Sequence, residues 1–302
     1  MHNLNTNFKK FYRICKEVFK YKVNDHLNFR TYPVKPKMND LKVIALSCCM
    51  EGLGIDSENL LWSKLQSDYK DDFKDLIHRT RFNRRRRRLH NKIAEIQTYV
   101  SDQLGSSSKN MIIDSIPVPV VKLIREKTFR AFKQVPEHAP AKGFSSVNKN
   151  WFIGYKLHAI IWDDGVVQQS GITPGNVHDI NYLKQAQFDN FRTRLIGDRA
   201  YISKVVQLNL FDQFHVKLTV PFRSNQHEYK KHPKKLKNKR QMVETFFAQL
   251  CDQMNLRRNY AKSYLGLVAR IASKVSCMSI LNLINFQCGR KLSHVKHALS
   301  FQ

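Results

Sequence analysis

Acid is scarce in this chain, and so are the features that would give its excess of base a bland explanation. Among 302 residues, 24 Asp and Glu stand against 52 Lys and Arg, a formal net charge of +28. No uninterrupted apolar run reaches about 18 residues, the length that reads as a membrane-spanning helix. The N-terminal stretch "MHNLNTNFKKFYRICKEVF" lacks the unbroken apolar core of a secretory signal. A cytoplasmic protein with no membrane partner is expected. The six cysteines include no C-x-x-C pair. Their mostly apolar helical surroundings fit buried free thiols better than a zinc site or a disulfide framework. No basic amphipathic helix with a large apolar face stands out, which argues against an anionic membrane. Nucleic acid, the commonest large intracellular polyanion, suits the charge.

What is present falls into two textures. Residues 1–100 have helical spacing. Phe8, Phe11, Tyr12, Cys15, Val18 and Phe19 share one face, with lysines opposite. Asn39 is placed to cap a helix through "LKVIALSCCME", Gly52 and Gly54 to end it, and Asp56 to cap the next, "SENLLWSKLQ". Residues 39–66 therefore read as a helix-turn-helix or, with equal ease, as an ordinary pair of packed helices. The segment 79–93, "RTRFNRRRRRLHNKI", holds Arg84, Arg85, Arg86, Arg87 and Arg88 and no acid. Such a face repels itself unless an anion neutralises it, so phosphate contact is the favoured reading over a solvated surface.

Residues 101–110 are small and polar, a linker. Beyond them five short strands are expected, at 111–114, 155–162, 166–174, 194–198 and 216–222, with Asp164-Gly165 as a hairpin turn. Helices fit 179–188, 203–213, 240–257 and 264–286. The order implies a mixed α/β sheet flanked by helices over 111–290, followed by a tail at 291–302. Trp151, Tyr155 and Trp162 read as core, with base stacking as the minority alternative.

Three acids have unusual positions. Asp114 ends the apolar run "MII", Asp198 ends "RLIG", and Glu244 lies on the long helix at the edge of the stripe Met242, Val243, Phe246, Phe247, Leu250 and Met254. Strand ends of an α/β sheet point into the crevice where ligands bind. Each acid alone has a plainer reading: Asp114 and Asp198 as turn-formers, Glu244 as a partner of Arg240. Together, three carboxylates in a basic chain suit a hard divalent cation such as Mg²⁺, with Mn²⁺ as substitute, working on a phosphodiester. Gly197 reads as clearance for an approaching phosphate. His178 and Arg199 are placed to position phosphate or Asp198, and His158 reads as a core or positioning histidine. The stretch 223–240 carries Arg223, Lys230, Lys231, Lys234, Lys235, Lys237 and Arg240 and leads straight to Glu244, so it reads as a DNA-backbone contact.

In that order, "IIDSIPV", "WFIGYKLH", "ITPGNVHD", "LIGDRAYIS", "PFRSN" and "RQMVETFFAQL" resemble the DDE transposases of compact bacterial insertion sequences, over about residues 111–285. The resemblance implies a ribonuclease-H-like core preceded by a mainly helical DNA-binding region, with Asp114, Asp198 and Glu244 as catalytic metal ligands. It implies cleavage of transposon ends, strand transfer to target DNA and a homodimer in the synaptic complex. The family's Tyr-x2-Arg-x3-Glu-x6-Lys signature is met at Arg240 and Glu244, while Lys237 stands in the tyrosine position and Cys251 in the lysine position.

Overall fold

The computed structural model describes residues 3–105, 110–132, 136–147, 149–188, 192–222, 229 and 233–300. The chain runs α1 (Leu4–Val18), α2 (Asp40–Gly52), α3 (Glu58–Ser67), α4 (Arg79–Arg88), α5 (His90–Leu104), β1 (Asn110–Val121), β2 (Ala141–Ser145), β3 (Asn150–Trp162), β4 (Val167–Pro174), α6 (Ile180–Leu183), β5 (Arg194–Ile196), α7 (Lys204–Phe214), β6 (Lys217–Thr219), α8 (Lys234–Asp252) and α9 (Tyr264–Gln287). It forms two compact units, one of residues 1–100 with 249–302 and one of 101–248. The segment 249–290, grouped by sequence with the catalytic region, clusters instead with the N-terminal helices.

In the helical unit, α1 buries Phe8, Phe11, Cys15 and Val18 along one stripe. Both α2 and α9 are buried nearly all round, as helices surrounded by others must be. By mean hydropathy α9 could cross a membrane, but 89% of its apolar window is buried inside the protein. Side-chain caps set the helix starts: Asn39 accepts from the Lys42 N–H at 2.8 Å, and Ser57, rather than Asp56, accepts from the Leu60 N–H at 3.4 Å. Cys15, Cys48, Cys49 and Cys277 are buried free thiols, Cys251 is half-buried and Cys288 is exposed.

The second unit is built on a mixed sheet in the order β2-β3-β1-β5-β6, with β4 also paired to β3. β3 is the long central strand. One edge runs antiparallel to β1, while the other takes β2 along Asn150–Gly154 and β4 along Tyr155–Ile161. β5 is parallel to β1, and β6 is parallel to β5. The antiparallel strands β4, β3 and β1 extended by the parallel β5 and β6 give the ribonuclease-H-like arrangement that the resemblance implies, with β2 added on β3. Gly165, at φ +94°, makes the turn between β3 and β4, where the Asp-Gly pair predicts it.

Several features differ from expectation, among them the linker expected over 101–110, whose first residues belong to α5, which runs to Leu104. β2 has no strong sequence signal. The helix expected over 179–188 is limited to Ile180–Leu183. β1 does not stop at Asp114 but continues past Pro117 and Pro119 to Val121. Beyond Ile112, β1 pairs only with β3, not with β5. Two prolines spaced by two residues turn the same way, toward that open edge, where a missing N–H costs no ladder bond.

Candidate active site

β1 and β5 lie side by side, with Asn110 opposite Arg194 and Ile112 opposite Ile196. Asp114 and Asp198 each lie two residues past the last of these pairs, and the charge of Asp198 acts on the Asp114 carboxyl. Between them a Cβ on Gly197 would meet Ile113 Cγ2 at 3.2 Å and the Tyr201 ring at 3.1 Å. The glycine therefore makes room for Tyr201 and Ile113, not for a phosphate as its place in sequence suggested.

Asp114 is held on both oxygens. Oδ1 accepts from the Ser115 N–H at 2.8 Å, and Oδ2 accepts from the Arg240 guanidinium of α8 at 3.0 Å. Burial nevertheless dominates and pushes its carboxyl up to about 6. The Ser115 N–H and Arg240 pull down, while the Asp198 charge pushes further up. Asp198 accepts from the Ala200 N–H at 2.8 Å and so caps the short turn Arg199–Tyr201.

A polar cluster on β3 and β4 joins residues that are legible in sequence only one by one, and His158 is the core histidine expected. His158 is fully buried, its Nε2 is 2.8 Å from Thr173 Oγ1, and its ring stacks on Tyr182 with centroids 4.6 Å apart. Burial lowers His158 to about 4, so the ring is neutral. Lys156 donates to Asp179 at 2.9 Å. The Tyr201 hydroxyl is buried without a hydrogen-bond partner, and burial first, then Asp179, Asp114 and Asp198, raise its pKa. The "NVHD" motif pointed to this corner through His178, which is exposed, whereas its neighbour Asp179 makes the ion pair.

Glu244 lies one turn beyond Arg240 on α8 and is exposed. Among the described residues no group of three or more His, Cys, Asp or Glu is close enough to hold a metal ion. The structure thus brings Asp114 and Asp198 together without the third acid. Arg240, expected in the DNA-contacting stretch and, in the plainer reading, a partner of Glu244, binds Asp114 and balances its charge. The two adjacent carboxylates are hard oxygen donors that fit a divalent cation.

The basic residues divide sharply. Lys234, Lys235 and Lys237 are exposed on the first turns of α8, and Arg199 is exposed beside Asp198. Arg223, Lys230 and Lys231 lie outside the described residues. On α4, Arg84 and Arg88 are exposed and Arg87 is half-buried. Arg85 and Arg86 do not face solvent as the run suggested. Arg85 pairs with Asp40 at 2.6 Å, and Arg86, 1% exposed, pairs with Glu51 at 2.6 Å and Glu58 at 3.5 Å. Phe82 and Arg86 are one turn apart on the buried stripe of α4, which is why this arginine turns inward. Trp151, expected in the core, is 52% exposed and packs edge-on against Phe144, while Tyr155 and Trp162 are buried.

Residues 104–263, just over half of the chain, match a family model described as a transposase DDE domain. Among curated proteins and solved structures, nothing matches the chain.

Proposed function

The chain belongs to the transposase DDE-domain family, and from that premise we propose that it cleaves DNA at the ends of a mobile element and transfers the freed strand to target DNA. The observation that carries this reading is that Asp114 and Asp198 follow the paired ends of the parallel strands β1 and β5 and feel each other's charge, in a chain of net charge +28. Two carboxylates side by side repel, and the upward shift of Asp114 to about 6 records both that repulsion and the larger cost of burial. A divalent cation would relieve both.

Family members use a divalent metal, and we assign Mg²⁺, with Mn²⁺ as substitute, to Asp114 and Asp198, with Glu244 as the third carboxylate. When bound, the metal would supply activation of the attacking oxygen and neutralisation of charge on the phosphodiester. The protein's own residues do the positioning. Arg240 holds the Asp114 carboxylate in place through a charged hydrogen bond. Asp198 is fixed by the Ala200 N–H, so both acids are aimed before substrate arrives. In this reading Arg199, His178 and the exposed Lys234, Lys235 and Lys237 hold DNA backbone, and the sequence adds Arg223, Lys230, Lys231 and Arg240 to that basic stretch. The helical unit, with Arg84, Arg87 and Arg88, recognises the terminal inverted repeats. A homodimer brings the two ends together.

The test combines protein, Mg²⁺, labelled end DNA taken from the flanks of the gene, and a target plasmid. Joined products are expected. Cleavage without joining would make the protein a metal-dependent nuclease, and retention without cleavage would leave only a DNA-binding protein.

A further inference from the structure

The helical unit contains a polar cleft of about 540 Å³ that the DDE pair does not use. Two helix N-termini open on it. Ser57 caps α3, and Ser263 caps α9 by accepting from the Gly266 N–H at 3.3 Å. The positive ends of both helix dipoles therefore point into one space. Arg79, Arg87, Lys262 and Arg270 line the same walls.

A second observation is independent of the helix ends. Arg270 is 8% exposed, donates to the Asp56 carbonyl, and keeps its Nε buried without a partner. The Nε of Arg87, which also lines the cleft, is likewise buried and unpartnered. Buried donors without acceptors are rare, and at a cleft they call for a bound acceptor. The local acids are already engaged. Glu58, the carboxylate in the lining, accepts from Asn83 at 2.9 Å and pairs with Arg86 at 3.5 Å and more loosely with Arg79 at 3.9 Å, one acid among the cations of the lining. Glu51 is taken by Arg86 and Lys274, and Asp56 faces Arg258 at 3.9 Å.

We propose that this cleft is a phosphate site that holds one backbone phosphate of bound DNA. Donor N–H groups, two helix dipoles and a cationic surplus converge on a space wide enough for a phosphodiester. Lys262 is exposed and Arg79 partly exposed, so they form a mouth through which a polymer can pass, as a closed phosphate pocket would not allow. The inference rests on the DNA reading only for the owner of the phosphate, not for any chemistry.

The test uses the full chain in a chelator, with a short DNA duplex and no metal. Arg79→Gln and Lys262→Gln are each expected to weaken binding several-fold at fixed salt. Each should also flatten the slope of log affinity against log salt by about one. Lys9→Gln, on the exposed face of α1, is expected to change neither, and matched melting curves check folding. Unchanged affinity and slope in both cleft variants, with no effect of inorganic phosphate on the wild-type melting temperature, would overturn the site. If inorganic phosphate raises the wild-type melting temperature but not that of the double variant, while duplex binding is unchanged in both single variants, the DNA assignment is overturned in favour of free phosphate. Because no metal is present, a protein that binds through the cleft yet never cleaves leaves this inference standing and counts only against the cleavage reading.

Discussion

Glu51 in the helical unit and Asp114 in the sheet unit are both carboxylates drawn largely out of water, and they respond in opposite directions. Glu51 sits between Lys274 and Arg86, whose charges outweigh its burial and hold its carboxyl below the ordinary value. Asp114 has one cation, Arg240, and a neighbouring acid, so burial wins and the carboxyl is pushed up to about 6. The first is a fully satisfied ion cluster that ties α2, α4 and α9 together. The second is under-compensated, and a site that must accept a cation needs that deficit.

The largest effect expected from breaking this contrast is on folding. Glu51→Gln leaves Lys274 buried without an acid and Arg86 with Glu58 alone, and should cost about 3–5 kcal/mol. Denaturant unfolding checks it, and a loss below about 1 kcal/mol would show that the cluster is not satisfied as described.

Next comes a pH effect in the sheet unit. His158 is held at about 4, below the ordinary 6.5. The folded state keeps it neutral, while the unfolded chain protonates it as pH falls below 6.5. Its contribution is thus present above about 6.5 and lost as pH falls through 4, by about 3 kcal/mol in all. Asp114 acts in the opposite sense, since its raised value lets the folded state gain a proton first and favours folding as pH falls from about 6. His158→Gln should therefore flatten or reverse the acid loss of stability between pH 6.5 and 4, and Asp114→Asn should steepen it. Urea titrations across that range read both slopes, and two parallel profiles would contradict the assignments.

A smaller effect is expected at Arg240. Its pair with Asp114 is part-exposed, with side chains at 21% and 23%, so Arg240→Gln should change stability by no more than about 1 kcal/mol. The same change should raise the Asp114 carboxyl further, which carbon-detected titration would register as a shift to higher pH. A fall would contradict the role given to the guanidinium.

The parts of the fold that were legible in sequence are those with a local period. The alternation and apolar runs of β3, β4 and β5, the Asp-Gly turn and the stripes of α8 and α9 all lie within a few turns of chain. β2 was not legible, because "AKGFS" has neither alternation nor a run. β1 was cut short because Pro117 and Pro119 look like breakers until its open edge is known. Asp114 and Asp198 were found because each terminates or interrupts an apolar strand. The charge of Asp198 acting on Asp114, the bond from Arg240 to Asp114 and the burial of Arg86 depend on contacts far apart in sequence, where spacing carries no information. The arginine run misled for the same reason: Asp40, Glu51 and Glu58, supplied by other helices, decide which of its members turn inward.

The most direct test of the central claim is calorimetric titration of Mn²⁺ into the full chain and into Asp114→Asn, Asp198→Asn and Glu244→Gln. The account predicts that either aspartate change abolishes binding, while Glu244→Gln weakens it without removing it, since the two aspartates already stand together and the glutamate does not. Wild-type binding by Asp114→Asn or Asp198→Asn would contradict it.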